Sequence, residues 1–132
     1  MAMNKLPFHK QNGVWQPTVS NVVGTGLVVN APLESFYTVN GNLVTCHILF
    51  DDIDAPTGGE ASFDLSVPIN PRNSFGAVND AIGVFAMKVS GNVPIAGSIA
   101  AVVATDTVQV EFAIIVGANN NQAAAQFCYK TE

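Results

Sequence analysis

The side chains able to do chemistry are few in this chain. The most suggestive pair, Cys46 and His47, stands in an uncharged stretch, FYTVNGNLVTCHILF, at positions 36 to 50. Nucleophilic catalysis needs a thiol or hydroxyl within hydrogen-bond reach of a base. Strand alternation instead puts Val44, Cys46, Ile48 and Phe50 in one row and Leu43, Thr45, His47 and Leu49 in the other. The Gly-x-Ser-x-Gly elbow of serine hydrolases is absent as well. His47 therefore reads as a packed or interface residue. His9 lies in a polar N-terminal segment and reads as solvated, and two histidines so placed give no zinc-ligand spacing. No catalytic residue, metal or cofactor is expected.

Asp51, Asp52 and Asp54, with Glu60 across a Gly-Gly turn, could gather round a hard cation such as calcium. Their spacing lacks the twelve-residue loop with Gly at six and Glu at twelve, so solvated loop carboxylates are the expectation. A glycosidase pair would need one carboxyl raised by an apolar pocket, and FDDIDAPTGGE offers none. Gly24 and Gly26 in VVGTGLVV lack the Lys-Ser/Thr ending and the following helix of a phosphate loop, so they read as a strand bulge. Trp15 could stack on a sugar. Its flanks, Gly13 and Pro17, favour a ring that closes one end of a sandwich.

These residues must be positioned by strands. Phe63, Leu65, Val67 and Ile69 alternate with polar neighbours, as do Val108, Val110 and Phe112, a period of two that makes half-buried strands. Positions 43 to 50 are apolar on both faces and are expected to be covered on both. Asn40 and Gly41 predict a type I′ hairpin between 36–39 and 42–50. Further strands are expected at 14–20, 22–29, 81–89, 95–103, 107–116 and 123–130. QAAAQ alone has helical propensity, and it is too short to hold a helix. About eight antiparallel strands in 132 residues fit an all-β sandwich of the jelly-roll type. An immunoglobulin-like sandwich would set its Trp between the two cysteines, whereas Trp15 precedes both Cys46 and Cys128.

Composition limits the partners. Hydrophobic residues make up 48% of the chain and charged residues 11%, against roughly 25% charged in an average soluble domain. Thirteen Asn help to supply neutral hydrogen-bonding groups instead. So low a charge suits a chain that hides part of its exterior against copies of itself. The net charge is −5, with no Lys or Arg between Lys10 and Arg72, which argues against nucleic acid as a partner. The two cysteines are expected as buried thiols. MAMNKLPFHK has no signal-peptide apolar run, and no segment approaches 18 uninterrupted apolar residues. A soluble chain made in the cytoplasm, without membrane insertion, is expected.

Four phrases occur in order: GVWQPTVSN, FYTVNGNLVTCHILF, ASFDLSVPI and QFCYKTE. Together they resemble the knob or head domains of bacteriophage tail fibres and related head fibres. Gly13, Trp15 and Pro17 match a Gly-x-Trp-x-Pro phrase. Tyr37, Gly41 and Val44 match Tyr-x-x-x-Gly-x-x-Val, and Leu65 and Pro68 match Leu-x-x-Pro. The resemblance runs from residue 13 onward. It implies a trimeric jelly-roll surface module, similar to the tumour-necrosis-factor-like heads. A tail fibre carries a long stalk before its knob, whereas about a dozen residues precede Trp15 here, so a virion spike, head fibre or decoration protein is closer.

The expected organisation is an attachment arm at 1–12, with Leu6, Pro7 and Phe8 contacting other virion proteins, and a sandwich at 13–132 on the virion surface. Leu43 and His47 are placed near the contact between copies of a homotrimer. Host receptors or surface glycans would meet Thr57, Gly58, Gly59, Glu60, Asn73, Asn79, Asn92, Asn119, Asn120 and Asn121, on loops carried by a rigid scaffold. The competing expectation is a soluble carbohydrate-binding β-sandwich module or small hydrolase. A glycan array with a hydrolase screen separates the two, because fold alone does not fix function.

Overall fold

The computed structural model describes residues 11–32, 34–71, 73–89, 93–115 and 117–131. The proposed attachment residues Leu6, Pro7 and Phe8, together with Asn92, lie outside them. Ten strands form the fold: β1 (Gln11–Val14), β2 (Val19–Val23), β3 (Val28–Val29), β4 (Glu34–Asn40), β5 (Leu43–Ala55), β6 (Gly59–Ser66), β7 (Ala81–Val89), β8 (Val93–Ala101), β9 (Thr107–Ile114) and β10 (Ala118–Lys130). Among the described residues the one helical element is a single 3-10 turn, Val78–Asp80.

All pairings are antiparallel, in the order β1-β4-β5-β10-β7-β8-β9-β6-β2, with β3 beside the far end of β5. The continuous sheet curls over on itself, so β5 faces β6 from five places away. Phe50, Phe63, Phe85 and Phe112 meet across the interior, with Phe63 at 5.7 Å from Phe50, 6.0 Å from Phe85 and 6.2 Å from Phe112 between ring centroids. Edge-to-face contacts of this kind add to the burial of the rings. The expected all-β antiparallel sandwich is therefore the fold, built of ten strands instead of about eight.

The extra strands come from two interruptions. Buried Pro17, which has no N–H for a ladder, lies in the gap that separates β1 from β2 within the expected strand 14–20. The expected bulge at Gly24 and Gly26 is a tight turn instead, closed by Leu27 N donating to Gly24 O at 3.2 Å with Gly26 at φ +72°, the backbone sign a type II turn requires. The hairpin turn shifts by one residue from its expected place. Asn40 pairs with Leu43, so Gly41 and Asn42 are the central residues, and of these only Gly41 has positive φ, at +66°. That is the II′ pattern rather than I′. β10 runs five residues further back than expected and absorbs QAAAQ, because Asn121, Ala123, Ala125, Phe127 and Tyr129 turn inward while the residues between them do not.

The connection before β7 caps one end of the sandwich. Phe75 is inserted there, exchanging backbone hydrogen bonds with Ala104 and Thr105 and meeting Tyr129 edge-on at 5.8 Å. Tyr129 Oη in turn donates to Ile69 O at 2.6 Å. The Gly41 turn, Phe75 and the Ala104 turn define this capped end. The Gly24 turn, the Pro56–Gly59 connection and the start of β10 define the other, open end.

Candidate interaction face

The inward row of β5 is sealed, with Val44, Cys46 and Ile48 fully buried and Phe50 nearly so. The row of Leu43, Thr45, His47 and Leu49 points away from the sandwich, and no described strand packs over it. Of the two covers expected for this strand, the facing sheet supplies one. The same outer surface continues through Phe36 of β4, Ala124, Gln126 and Cys128 of β10, and Ile82, Val84 and Ala86 of β7. Phe36, Leu43, Leu49, Ile82 and Val84 are 39 to 66% exposed. At roughly 170 Å² each they leave on the order of 400 Å² of apolar surface, the size of the largest patch on a typical monomer, which is often functional.

At the centre, His47 stacks on Phe36 with ring centroids 4.9 Å apart and planes 15° apart. Both border a shallow hollow of about 300 Å³ shared with Leu49, Val84, Ala124 and Gln126. Among the described side chains of this face, charge stands at the rim: Glu34, Asp51 and Lys88 towards the open end, Lys130 towards the capped end. Leu43 and His47 thus lie on one surface, as expected. Phe36, Ile82 and Val84 complete it and were missed; the alternation of 81–89 held the signal for the last two.

The carboxylates sit on a strand, not on a flexible loop, because β5 continues to Ala55. Asp51 and Asp52 face the single residue Gln122 in a β-bulge, between the pairs Phe50 with Ala123 and Ile53 with Asn121, which reverses the inward phase of the strand. Each carboxylate has an amide partner. Gln122 Nε2 donates to Asp51 at 3.2 Å, Asn30 Nδ2 to Asp52 at 3.0 Å, and the backbone N–H of Asn120 to Asp54 at 2.9 Å. Partial burial, then the neighbouring Asp54, raise the Asp52 carboxyl above its ordinary range. Glu60 lies apart on β6, and no group of three His, Cys, Asp or Glu among the described residues could hold a metal ion.

The cysteines lie on opposite faces of adjacent strands. Cys46 points inward opposite Phe127, whereas Cys128 is half-buried on the outer face, so no disulfide can join them.

The proposed recognition residues fall at two ends. Thr57, Gly58, Gly59 and Glu60 are exposed at the open end with Asn119 and Asn120. Gly59 and Glu60 already belong to β6, and Asn119 and Asn120 to β10. Asn121 is buried, its amide donating to Ile53 O at 2.9 Å and Ala118 O at 2.7 Å. Asn73 and Asn79 instead line a groove of about 810 Å³ at the capped end.

Trp15 is half-buried, donating from Nε1 to Ser66 O at 3.4 Å and meeting Tyr37 edge-on at 5.9 Å. It closes the edge of the sandwich. Comparison with protein families, curated proteins and solved structures found no match.

Proposed function

We propose that this chain is a non-enzymatic structural module that assembles as a homotrimer through the outer face of β4, β5, β10 and β7 and is displayed on a virion surface. One observation carries the reading: an apolar sheet face with no carboxylate, Lys or Arg at its centre, on a chain of net charge −5. Copies of an acidic protein repel one another unless they meet where charge is missing. This face meets that condition, and interface cores are depleted of charge in the same way. A second copy is therefore its natural occupant. The place on a virion, as head fibre, spike, decoration protein or fibre knob, rests on the resemblance of the four phrases.

Gln11 pairs with Val39 beside the Gly41 turn, so the chain enters the sheet at the capped end. An N-terminal arm attached to other virion proteins would leave from that end, with Thr57, Gly58, Asn119 and Asn120 directed away from the particle. Those loops are the place for a host receptor or glycan.

Val84→Lys and Leu43→Glu test the reading. Each sets a charge in the face without touching the buried row, so circular dichroism should be unchanged while the assembly dissociates. Assemblies that survive both substitutions would refute the face as the contact.

A further inference from the structure

The dipeptide Asn-Gly occurs twice, at Asn12 with Gly13 and at Asn40 with Gly41. The amide of an Asn can be attacked by the next backbone nitrogen, most readily when a glycine follows, since no Cβ crowds the ring that forms. Closing the ring requires rotation about the Asn backbone, which a β-ladder resists.

The fold sets the two glycines differently, Gly13 within a ladder and Gly41 in a turn. Asn12 is inside β1, paired with Thr38, and Gly13 is opposite Tyr37, whose ring fills the space where a Cβ would stand. Asn40 is the last residue of β4, paired with Leu43 across the turn, whereas Gly41, whose nitrogen would attack, lies in the turn outside the ladder. Asn40 and Gly41 are exposed, Gly41 has φ +66°, and nothing lies within 4 Å of the site a Cβ would take.

We propose that Asn40 is a site of spontaneous deamidation and isoaspartate formation, and that the fold protects Asn12 from the same reaction. Hydroxide removes the Gly41 amide proton, and the nitrogen attacks Asn40 Cγ. The new N–Cγ bond replaces the Cγ–Nδ2 bond, and Nδ2 leaves as ammonia after taking a proton from water. Water then opens the succinimide at either carbonyl. One opening leaves a normal aspartate. The other carries the main chain through the side-chain carbon and lengthens the turn between β4 and β5. No oxidant or reductant takes part, and either product adds a negative charge beside Leu43 at the margin of the apolar face.

Peptide mapping by mass spectrometry tests this on the intact protein incubated in mildly alkaline buffer, native and in denaturant. Conversion at Asn40 should exceed that at Asn12 by on the order of tenfold in the native protein, and the ratio should fall to about one once the ladder is lost. N40Q should abolish the native signal. Equal native rates at the two sites, or faster conversion at Asn12, would overturn the proposal. So would a native chain in which neither site converts while both do in denaturant. None of these outcomes depends on whether the chain forms trimers.

Discussion

The ring of Tyr37 lies over Gly13: a Cβ at position 13 would stand 2.5 Å from Tyr37 Cζ and Oη. Tyr37 is also the edge-on partner of Trp15, whose indole donates to the carbonyl of Ser66. Residues from three of the four quoted phrases therefore meet at one place, where the first strand is fastened across the sandwich. Their part in this chain is packing.

Gly13→Ala should accordingly destabilise the fold by about 1–3 kcal/mol, the usual cost of overpacking, and lower the thermal midpoint. Gly41→Ala should also destabilise, by roughly 1 kcal/mol, because its positive φ rather than any neighbour opposes a side chain. Pairing Gly13→Ala with Tyr37→Ala separates the two causes. The double mutant should cost less than the sum of the two single changes, and simple additivity would contradict the steric account.

Asp52 predicts a pH dependence. Its carboxyl is raised from 3.8 by partial burial and then by Asp54 and Asp51, and its Oδ1 has no hydrogen-bond partner among the described residues. The native state therefore holds its proton to higher pH than the unfolded chain does. The stability this group contributes is complete below pH 3.8 and is lost as pH rises through the folded value. Asp52→Asn, which keeps an acceptor for Asn30, should be more stable than the parent at neutral pH and equal to it in acid. Chemical denaturation across pH measures the difference; a gap that widens in acid would contradict the assignment.

Thiol reactivity should split the cysteines. Burial raises the Cys46 thiol well above its ordinary range, and the nearby Cys128 adds to this. Cys128 stands half-open at the capped end of the apolar face. A thiol reagent should modify Cys128 in the native protein and Cys46 only after unfolding. Cys128 should react faster in Leu43→Glu than in the parent assembly, and native modification of Cys46 ahead of Cys128 would contradict the placement.

Much of this was legible from alternation. The rows of 43–50 and of Phe63 with Leu65 fall on the faces their period assigns, because every other side chain had to enter one core. The error about the carboxylates came from the bulge at Asp51 and Asp52. A bulge arises from pairing with a strand distant in sequence, and here that partner, Gln122, is 71 residues away. The start of β10 was hidden for the same reason. Asn and Ala have little strand preference of their own; here β5 holds Ala118 and Asn121, β7 joins only from Gln122, and Asn120 between them takes φ +57°. The hairpin turn moved because the pairing of Asn40 with Leu43 makes Gly41 and Asn42 its central residues, and Gly41 alone takes positive φ.

Sedimentation equilibrium of the unaltered protein at micromolar concentration and neutral pH tests the central claim most directly. The account predicts a single species of three times the 13.8 kDa chain mass, with the face of Phe36, His47 and Val84 closed between copies. A monomer of 13.8 kDa under those conditions would contradict it.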